Sequence, residues 1–497
     1  MADRTPMALF VEGVRAIGAD EDHDERLSYA RGVKGEIYSP PGLDEYIPLL
    51  NMSGTPLIKI AIQTLAQRIA LGGVHLTPTE GPDKGISDIF RRNRWASRET
   101  IVYMNAFTYG YGIVSVWPGA NTKQTPQILI EDPQSVHLAW LPGDPFTLDY
   151  VVKLTTERKA DPRTGDDGLD VGYLYTDAKI RKFHSPSGRH EWTERESIAN
   201  PLGRIPFVPF IPERDSNGDI AVYIDPLMEI VDAINTLRYH MLLAAQFSAY
   251  RQRIATGVDP IVRDANGEPV FKTHVVDGVE ELVLDENGMP IPLIQKPGRA
   301  GVDRFLVFPG EATKIFDLAE SNLQNYTEAI RYLEASFSAA SRVPSQFLGI
   351  GDFTQVSGDT MEANESGIRT FGAHIQHTFG DAILDLIDLI DAARGAAPRD
   401  SLPEVYWKNM EPRSLNQVAS ATAQMVPAGA PISMFLEMLA SSPDQVNRWL
   451  QESQTALNRA VGGNIAEAMT GPKPAPDAPP TGEKVPINAN TPLPNQE

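Results

Sequence analysis

Residues 222–256 read VYIDPLMEIVDAINTLRYHMLLAAQFSAYRQRIAT, and residues 312–343 read ATKIFDLAESNLQNYTEAIRYLEASFSAASRV. In both stretches, apolar residues recur at alternating steps of three and four, which places them on one stripe of an α-helix. The stripe residues are Leu227, Ile230, Ile234, Leu237 and Met241 in the first stretch, and Leu323, Tyr326, Ile330, Leu333 and Phe337 in the second. We predict two helices of about 30 residues, each ~45 Å long, that run up and down as a hairpin.

The chain between the two predicted helices, residues 257–311, is polar and contains six prolines, which argue against a long helix there. Asn266-Gly267 and Asn287-Gly288 are typical of the tight turns of β-hairpins. We therefore predict a small mixed insertion of short strands and turns. No internal repeat is expected in the chain.

Downstream of the second predicted helix, a glycine-containing segment at 344–358 precedes a third helical pattern, which opens at Asp359 and carries apolar residues from Ile368 to Ile390. Asp359 begins a capping box that opens this helix, and glycines within the helix favour a bend. Residues 411–470 predict further helices. Residues 471–497 are rich in Pro, Asn and Asp and are expected to be disordered.

The first 221 residues predict an α+β domain. Helical periodicity covers residues 56–71 and 86–106. Short stretches of strand character follow at 113–117 and then, spaced as an antiparallel meander, at 127–131, 136–140, 148–154, 172–175 and 179–184. The predicted fold class is therefore α+β.

The composition limits the classes of function. The formal net charge of −21 argues against a protein that grips DNA through neutralised phosphates. It is compatible with a protein that surrounds DNA and lets it slide. The absence of cysteine excludes disulfides and cysteine-ligated metals. No secretory signal is recognisable and no run of about 18 apolar residues occurs, so we expect no membrane span and no membrane partner.

The sequence lacks the common motifs of nucleotide-binding and hydrolytic enzymes, namely a Walker A loop, a G-x-S-x-G elbow and an H-E-x-x-H pair. His374 and His377 lie one turn apart on a predicted helix, but no carboxylate pair with metal-ligand spacing accompanies them. We predict no catalytic residues, no cofactor and no metal. The many Asp and Glu residues leave a carboxylate pair of the glycosidase type open.

Four patches, in their order along the chain, resemble phage portal proteins, the head-to-tail connectors of tailed bacteriophages. The resemblance is to the type found in siphophages of Gram-positive and actinobacterial hosts, and it covers residues 40–470. The patches are Asn51 with the helix at 57–71, Trp95 with AFTYGYGIVSV at 106–116, NPLGRIPFVPF at 200–210, and the segment from Pro344 through Leu348-Gly349 to Glu362.

This resemblance implies a portal-type fold with an α+β wing, two long stem helices, a small mixed α/β clip, a long bent helix after a tunnel loop, and a helical crown. Its parts map onto the chain as the N-terminal part of the wing at 1–221, the first stem helix at 222–256, the clip at 257–311, the second stem helix at 312–343, the tunnel-loop region at 344–358, the long helix and wing return at 359–410, the crown at 411–470 and a disordered Pro-rich tail at 471–497.

The resemblance also implies a ring, typically of twelve copies, at one capsid vertex of the virion, assembled in the host cytoplasm. Double-stranded DNA would pass through this ring during packaging and ejection. The implied partners are further copies of the chain, the terminase large subunit, a head–tail adaptor protein, and the major capsid and scaffolding proteins. Twelve copies would carry a formal charge on the order of −250, which repels phosphates from the channel wall.

Two groups of residues are predicted at the channel. The tunnel loop implied by the resemblance comprises Gly351, Asp352, Phe353, Thr354, Gln355, Val356 and Ser357. A set of cations is predicted to make either weak phosphate contacts or ion pairs between subunits: Arg251, Arg253, Lys272, Lys296, Arg299, Arg304 and Arg342. The stripe residues of the two stem helices are predicted to pack the oligomer.

Two other functions stay open on the sequence alone. One is an α+β enzyme with a helical-hairpin domain, and the other is a different capsid-associated minor head protein. The stripes on the two long helices are also explained by an antiparallel hairpin that packs within one chain.

Overall fold

The computed structural model divides into two compact units, Met1–Pro412 and Arg413–Glu497. The residues that it describes are 5–19, 22–33, 47–75, 84–119, 125–158, 168–186, 188–249, 253–256, 261–276, 279–285, 288–293, 306–308, 314–317, 322–350, 358–397, 399, 403–408, 410, 415–427, 435 and 448–455. The tail predicted at 471–497 lies outside these described residues.

The helices of the first unit are α1 (Pro6–Ala19), α2 (Asp22–Ala30), α3 (Ile47–Met52), α4 (Leu57–Arg68), α5 (Lys84–Arg92), α6 (Trp95–Tyr109), α7 (Asp225–Ala249), α8 (Gln324–Ser341), α9 (Ser345–Leu348) and α10 (Gly358–Ala393). In the second unit, α11 spans Leu415–Met425, residues 448–455 are helical, and Phe435 is buried. These parts of the second unit agree with the helices predicted at 411–470.

The strands are β1 (Leu71–His75), β2 (Gly112–Trp117), β3 (Gln127–Glu131), β4 (Val136–Leu141), β5 (Asp144–Arg158), β6 (Leu169–Tyr175), β7 (Lys179–Ser185), β8 (Thr193–Ala199), β9 (Phe207–Phe210), β10 (Arg253–Thr256), β11 (Thr273–Val276), β12 (Val279–Leu282), β13 (Leu306–Phe308), β14 (Lys314–Asp317) and β15 (Glu404–Trp407). Their order within the sheets is β4-β5-β6-β7-β8, β3-β2-β9, β13-β10-β14, β11-β12 and β1-β15. The mixed α+β fold class is confirmed.

The five-stranded sheet is an antiparallel meander with an apolar layer on each face. Along β5, Tyr150 and Val152 lie in the layer that α1 covers through Phe10, whereas Val151 lies in the layer shared with β2 and β9. This alternation is that of a strand buried on both sides. The predicted meander is confirmed, but sequence periodicity does not reveal β8, whose seven residues are all exposed.

The largest apolar core combines residues of α4, α6, α7, α8 and α10 with residues of β2 and β9. Phe379 of α10 lies among aromatic rings, with its centroid 4.9 Å from that of Tyr103, 5.7 Å from that of Phe210 and 6.4 Å from that of Phe107. Helix α10 therefore packs against both helix α6 and the three-stranded sheet β3-β2-β9.

Helix α10 spans Gly358–Ala393 without interruption and includes Gly367, Gly372 and Gly380. A Cβ atom at Gly372 would lie 2.5 Å from Sδ of Met410. This glycine therefore permits a close approach between two segments. The predicted long helix, with its apolar residues from Ile368 to Ile390, is present as α10, and β15 follows it and pairs with β1.

The single helix predicted over 86–106 is wrong, because α5 and α6 are separate and meet at Asn93 and Arg94. Arg94 has a φ of 55°, a left-handed conformation that cannot continue an α-helix. The side chain of Asn93 donates to the carbonyl of Pro126 (2.9 Å) and accepts from the N–H of Ile128 (3.0 Å). A tertiary contact with β3 thus fixes a break that helical periodicity does not show.

The two long helices are shorter than predicted, because Arg253–Thr256 and Lys314–Asp317 form the strands β10 and β14. These strands pair antiparallel, with Ile254 opposite Phe316. The helix predictions are therefore wrong for these two segments. The backbone hydrogen-bonding groups of each segment pair with those of the other. A local apolar pattern cannot reveal such a partner, because the partner lies far away in the sequence.

A buried carboxyl group joins α6 to the β1–β15 sheet. Glu99 is 4% exposed and accepts hydrogen bonds from the backbone N–H of Leu71 (3.2 Å) and the hydroxyl of Tyr103 (3.3 Å). Burial raises the pKa of Glu99 to about 7, against the opposing effects of these two donors and of Lys408. The folded protein therefore holds a proton on Glu99 that the unfolded chain releases at lower pH.

The raised pKa of Glu99 makes the free energy of unfolding depend on pH. The stabilisation is complete below the unfolded pKa of about 4.3 and is lost as the pH rises through the folded pKa of about 7. Glu99→Gln keeps an acceptor for the N–H of Leu71 without titrating. From pH 5 to pH 8, we expect the free energy of unfolding of Glu99→Gln to rise relative to that of the wild type by on the order of 2 kcal/mol.

Chemical unfolding at both pH values measures this gain, and Glu328→Gln, at an exposed position on α8, is the matched control. If the difference in free energy of unfolding between Glu99→Gln and the wild type stays constant from pH 5 to pH 8, Glu99 does not carry a proton in the folded protein.

Candidate channel and assembly surfaces

Helices α7 and α8 pack against each other and contribute to the main core. Leu227 and Ile234 on α7 and Phe337 on α8 are fully buried, and Ile330 is 8% exposed. The other predicted stripe residues are partly buried: Ile230, Leu237, Met241, Leu323, Tyr326 and Leu333. One stripe of each helix is thus covered within a single chain, which accounts for the apolar periodicity without a second copy.

Two contacts from α2 hold the first turns of α7. The guanidinium of Arg26 donates to both carboxylate oxygens of Asp225, at 2.8 and 2.9 Å. The hydroxyl of Tyr29, one turn further along α2, donates at 2.7 Å to the carboxylate of Asp232, two turns further along α7. Sequence reasoning does not reveal these contacts, because their partners are far apart in the chain.

A charged cluster formed by residues of α4 and α10 also contacts α9, which precedes the segment 351–357 in the chain. Glu365 on α10 lies 3.7 Å from Arg68 of α4 and 3.6 Å from Arg369 of α10. The guanidinium carbon of Arg68 also lies 4.3 Å from the ring centroid of Phe347 on α9. Arg68 therefore contacts one residue that precedes the segment and one that follows it.

A small β module, defined as residues 261–293, lies between β10 and β14 in the chain. It contains two tight turns in which an aspartate side chain accepts backbone N–H groups. Asp264 accepts from Glu268 at 2.9 Å, and Asp285 accepts from Met289 at 2.8 Å. The turns belong to a repeated pattern, V-x-D-x-N-G-x-P, so the expectation of no internal repeat is wrong. The two Asn-Gly pairs were the signal that could have revealed it.

The predicted channel residues fall into three groups. The tunnel loop and four of the cations lie outside the described residues: 351–357, Arg251, Lys296, Arg299 and Arg304. Arg253 lies in β10, and Lys272 is exposed in the small β module. Arg342 ends α8, and its guanidinium carbon lies 4.7 Å from the ring centroid of Phe371 on α10. These three residues belong to different elements of the chain: β10, the small β module and the end of α8.

Neither a metal centre nor a membrane-spanning helix is found in the part of the chain that the structure describes. Within it, no group of three or more His, Cys, Asp or Glu side chains is arranged to hold a metal ion. His374 and His377 are both exposed on α10. No described helix is long and apolar enough to cross a membrane.

The first unit combines a body of packed sheets and helices, a pair of long helices, and a small β module that follows the first of them. This mixed architecture is consistent with the α+β fold of a portal protein. Residues 49–456 match the family model described as Phage portal protein, SPP1 Gp6-like, and the chain belongs to this family.

Two curated relatives extend the match over nearly the whole chain. The portal protein of Mycobacterium phage L5 is 22% identical over 496 residues, which cover 93% of each chain. The portal protein of Mycobacterium phage D29 is 21% identical over 484 residues, which cover 91% of this chain and 90% of the relative. The predicted resemblance to portal proteins of actinobacterial siphophages is confirmed.

Membership of this family fixes the class of function. The protein is a bacteriophage portal protein with a role in packaging DNA, and the family is structural and not enzymatic. The family implies an oligomeric ring and a place in the capsid of the virion. The enzyme and the other minor head protein are therefore no longer alternatives.

Proposed function

We propose that twelve copies of the chain form a ring at one capsid vertex, through which double-stranded DNA passes during packaging and ejection. The observation that carries the proposal is the α7–α8 pair, which leads from the main core to the small β module in a chain whose family forms rings. A pair of packed helices is a stiff wall element, and copies placed side by side would enclose a hole.

The parts of the chain are assigned by their packing. Residues 1–221 and 359–410 form the wing, supported by the core that α10 shares with β2 and β9. Helices α7 and α8 form the stem. The small β module with β10, β13 and β14 forms the clip, and residues 411–470 form the crown. The buried stripes of the stem leave its outer side for neighbouring copies, and Tyr332 on that side is 73% exposed.

The acidic composition supports a wall that DNA slides past. Duplex DNA carries one negative charge per about 1.7 Å, so a strongly basic wall would hold it. The chain has a net charge of −21, which keeps phosphates away from the wall. The loop at 351–357 is assigned to the narrowest part of the channel. Arg68 supports this assignment, since it contacts both Phe347, which precedes the segment, and Glu365, which follows it.

The docking partners are assigned to two surfaces. The clip receives the terminase large subunit during packaging and a head–tail adaptor protein afterwards. The wing contacts the major capsid and scaffolding proteins during assembly in the host cytoplasm. The exposed apolar residues of the small β module support its role as a contact surface, among them Leu284 and Met289.

Native mass spectrometry and negative-stain imaging of the purified chain test the proposed ring. We expect a closed assembly with a mass close to twelve times 54.5 kDa and a central hole along its symmetry axis. Labelling of the chain in intact virions is expected to give signal at a single vertex. A monomer at every concentration and salt condition, or signal spread over the whole shell, would refute the proposal.

A further inference from the structure

Helix α3 is apolar on every side, but its own chain covers it on one side only. Apart from Asn51, its residues are isoleucine, proline, leucine and methionine. It packs on α7, and its two leucines are half-buried. The α3 face is defined as its exposed apolar residues, namely Ile47, which is 49% exposed, Pro48, and Met52, which is 65% exposed. A helix that is apolar all round is typical of an enclosed position, so a second molecule is expected to cover this face.

The second half of α8 exposes an uncharged surface on the side opposite the main core. The α8 face is defined as Tyr332, Ala335 and Ala339, which are all exposed and recur at steps of three and four. Ile330 and Phe337 lie on the other side of the helix and enter the main core. Alanine is a common residue of helix surfaces, whereas a tyrosine that is 73% exposed is typical of the residues that anchor protein interfaces.

Two contacts show how α7 and α8 are aligned. The hydroxyl of Tyr223, just before α7, donates to the carbonyl of Ser341 at the end of α8 at 2.6 Å. Further along α7 lies Arg238, and earlier in α8 lies Glu334. Burial raises the pKa of Glu334, and the neighbouring charge of Arg238 opposes this rise. The two helices therefore run antiparallel, with the start of α7 beside the end of α8.

The position of α3 along this helix pair is fixed by Asn235 of α7. Its side-chain oxygen accepts hydrogen bonds from the N–H and the hydroxyl of Thr55, three residues after α3, at 2.9 and 2.8 Å. Counted along the antiparallel helices, Asn235 is level with residue 329 from the contact of Tyr223 and with residue 337 from that of Arg238. This stretch of α8 contains most of the α8 face. The α3 face and the α8 face therefore lie at about the same height along the α7–α8 pair.

We propose that the α3 face of one copy packs on the α8 face of the neighbouring copy, an inference that rests on the proposed ring. Both faces are exposed in the single chain, so they do not cover each other there. Neighbours in a ring meet through two different surfaces. Rotation about the ring axis moves a surface sideways without changing its height. The two faces meet both conditions when the α7–α8 pair runs along the axis, as the proposed stem does.

The side chains of the two faces complement each other. Ala335 and Ala339 leave a shallow groove beside the ring of Tyr332, and the longer side chains of Ile47 and Met52 fill it. Methionine adapts to irregular gaps and makes favourable contacts with aromatic rings. Neither face carries a charge that the contact would leave without a partner. The contact is small, so it adds to the other contacts of the ring and does not hold two chains by itself.

The first test places opposite charges on the two faces. Met52→Glu and Tyr332→Lys are each expected to lower the fraction of chains in rings at least tenfold, at a concentration where the wild type is half assembled. Each variant buries an unpaired charge at every interface of the ring. The double variant is expected to recover the ring fraction at least fivefold over either single variant, because the new charges of neighbouring copies pair. Native mass spectrometry measures the ring fraction.

The matched control is Met7→Glu, at an exposed methionine of α1. Its ring fraction is expected to equal that of the wild type. All the substituted side chains are exposed, so the thermal unfolding midpoint of unassembled chains is expected to stay unchanged. Unchanged ring fractions in both single variants would overturn the inference, and so would a double variant that assembles no better than the single variants.

The second test uses the absence of natural cysteines. A short bis-maleimide applied to the variant with Met52→Cys and Ala335→Cys is expected to give a ladder of linked copies, whereas each single variant gives none. The comparison pair is Glu229→Cys with Ala339→Cys, since Glu229 is exposed on α7. A ladder from the comparison pair alone would place the neighbouring α7 on the α8 face and overturn the inference.

The outcomes separate this inference from the proposed function. Rings of the first cysteine pair that give no ladder would overturn the contact between the α3 face and the α8 face and leave the proposed ring intact. Wild-type chains that form no ring would instead refute the proposed function.

Discussion

Ile330→Asp is expected to prevent the stem from folding. Ile330 lies on α8, is 8% exposed and belongs to the main core, to which α7 also contributes. The substitution removes an apolar side chain from this core and buries a carboxylate among apolar residues. Loss of the buried side chain and desolvation of the carboxylate together amount to about 4 kcal/mol or more. That is a large part of the stability of an ordinary domain. We expect a sharp fall in soluble yield and in the thermal unfolding midpoint.

The matched control is Tyr332→Asp, two residues further along the same helix at a side chain that is 73% exposed. Its free energy of unfolding is expected to stay within about 0.5 kcal/mol of the wild type. Equal stability of the two variants would mean that the stripe of α8 is not covered within the chain. Folded but unassembled Ile330→Asp would instead place this stripe between subunits, as the sequence alone allows.

Deletion of residues 351–357 is expected to leave rings assembled and to reduce packaged DNA at least tenfold. The deletion removes the segment assigned to the narrowest part of the channel, while the buried stripes of α7 and α8 remain in place. The measurement is the amount of nuclease-protected DNA in particles, alongside the ring count of the purified variant.

A second variant separates the loop's sequence from its length. Replacement of 351–357 by seven Gly and Ser residues keeps the length, so ring assembly is expected to match the wild type more closely than in the deletion. If both variants package DNA at the wild-type level, the segment is not part of the channel. If both fail to assemble rings, the segment belongs to the interface between subunits.

Local periodicity predicted the elements whose pattern is complete within one segment. The stripe from Leu227 to Met241 gave α7, and the alternation around Val151 gave β5 of the meander. In both, apolar residues repeat with the period of the element that buries them. The resemblance carried by NPLGRIPFVPF at 200–210, where β9 lies, pointed to the family that the comparisons confirm.

The same periodicity failed where a distant residue decides the local structure. The break at Arg94 is accompanied by the contacts of Asn93 with the start of β3, and Lys314–Asp317 is a strand because Arg253–Thr256 pairs with it. A helical pattern continues through both places in the sequence. The competing partner becomes visible only when the chain is folded.

By itself the sequence determined the fold class, the family and the acidic net charge of the chain, because these depend on composition and on patterns within single segments. Only the tertiary structure decided where the long helices stop, which side of the α7–α8 pair is covered, and that Arg68 contacts one residue before and one residue after the segment 351–357. It also showed that the two turns of the small β module share one backbone design. Each of these features depends on groups that are distant in sequence and adjacent in space.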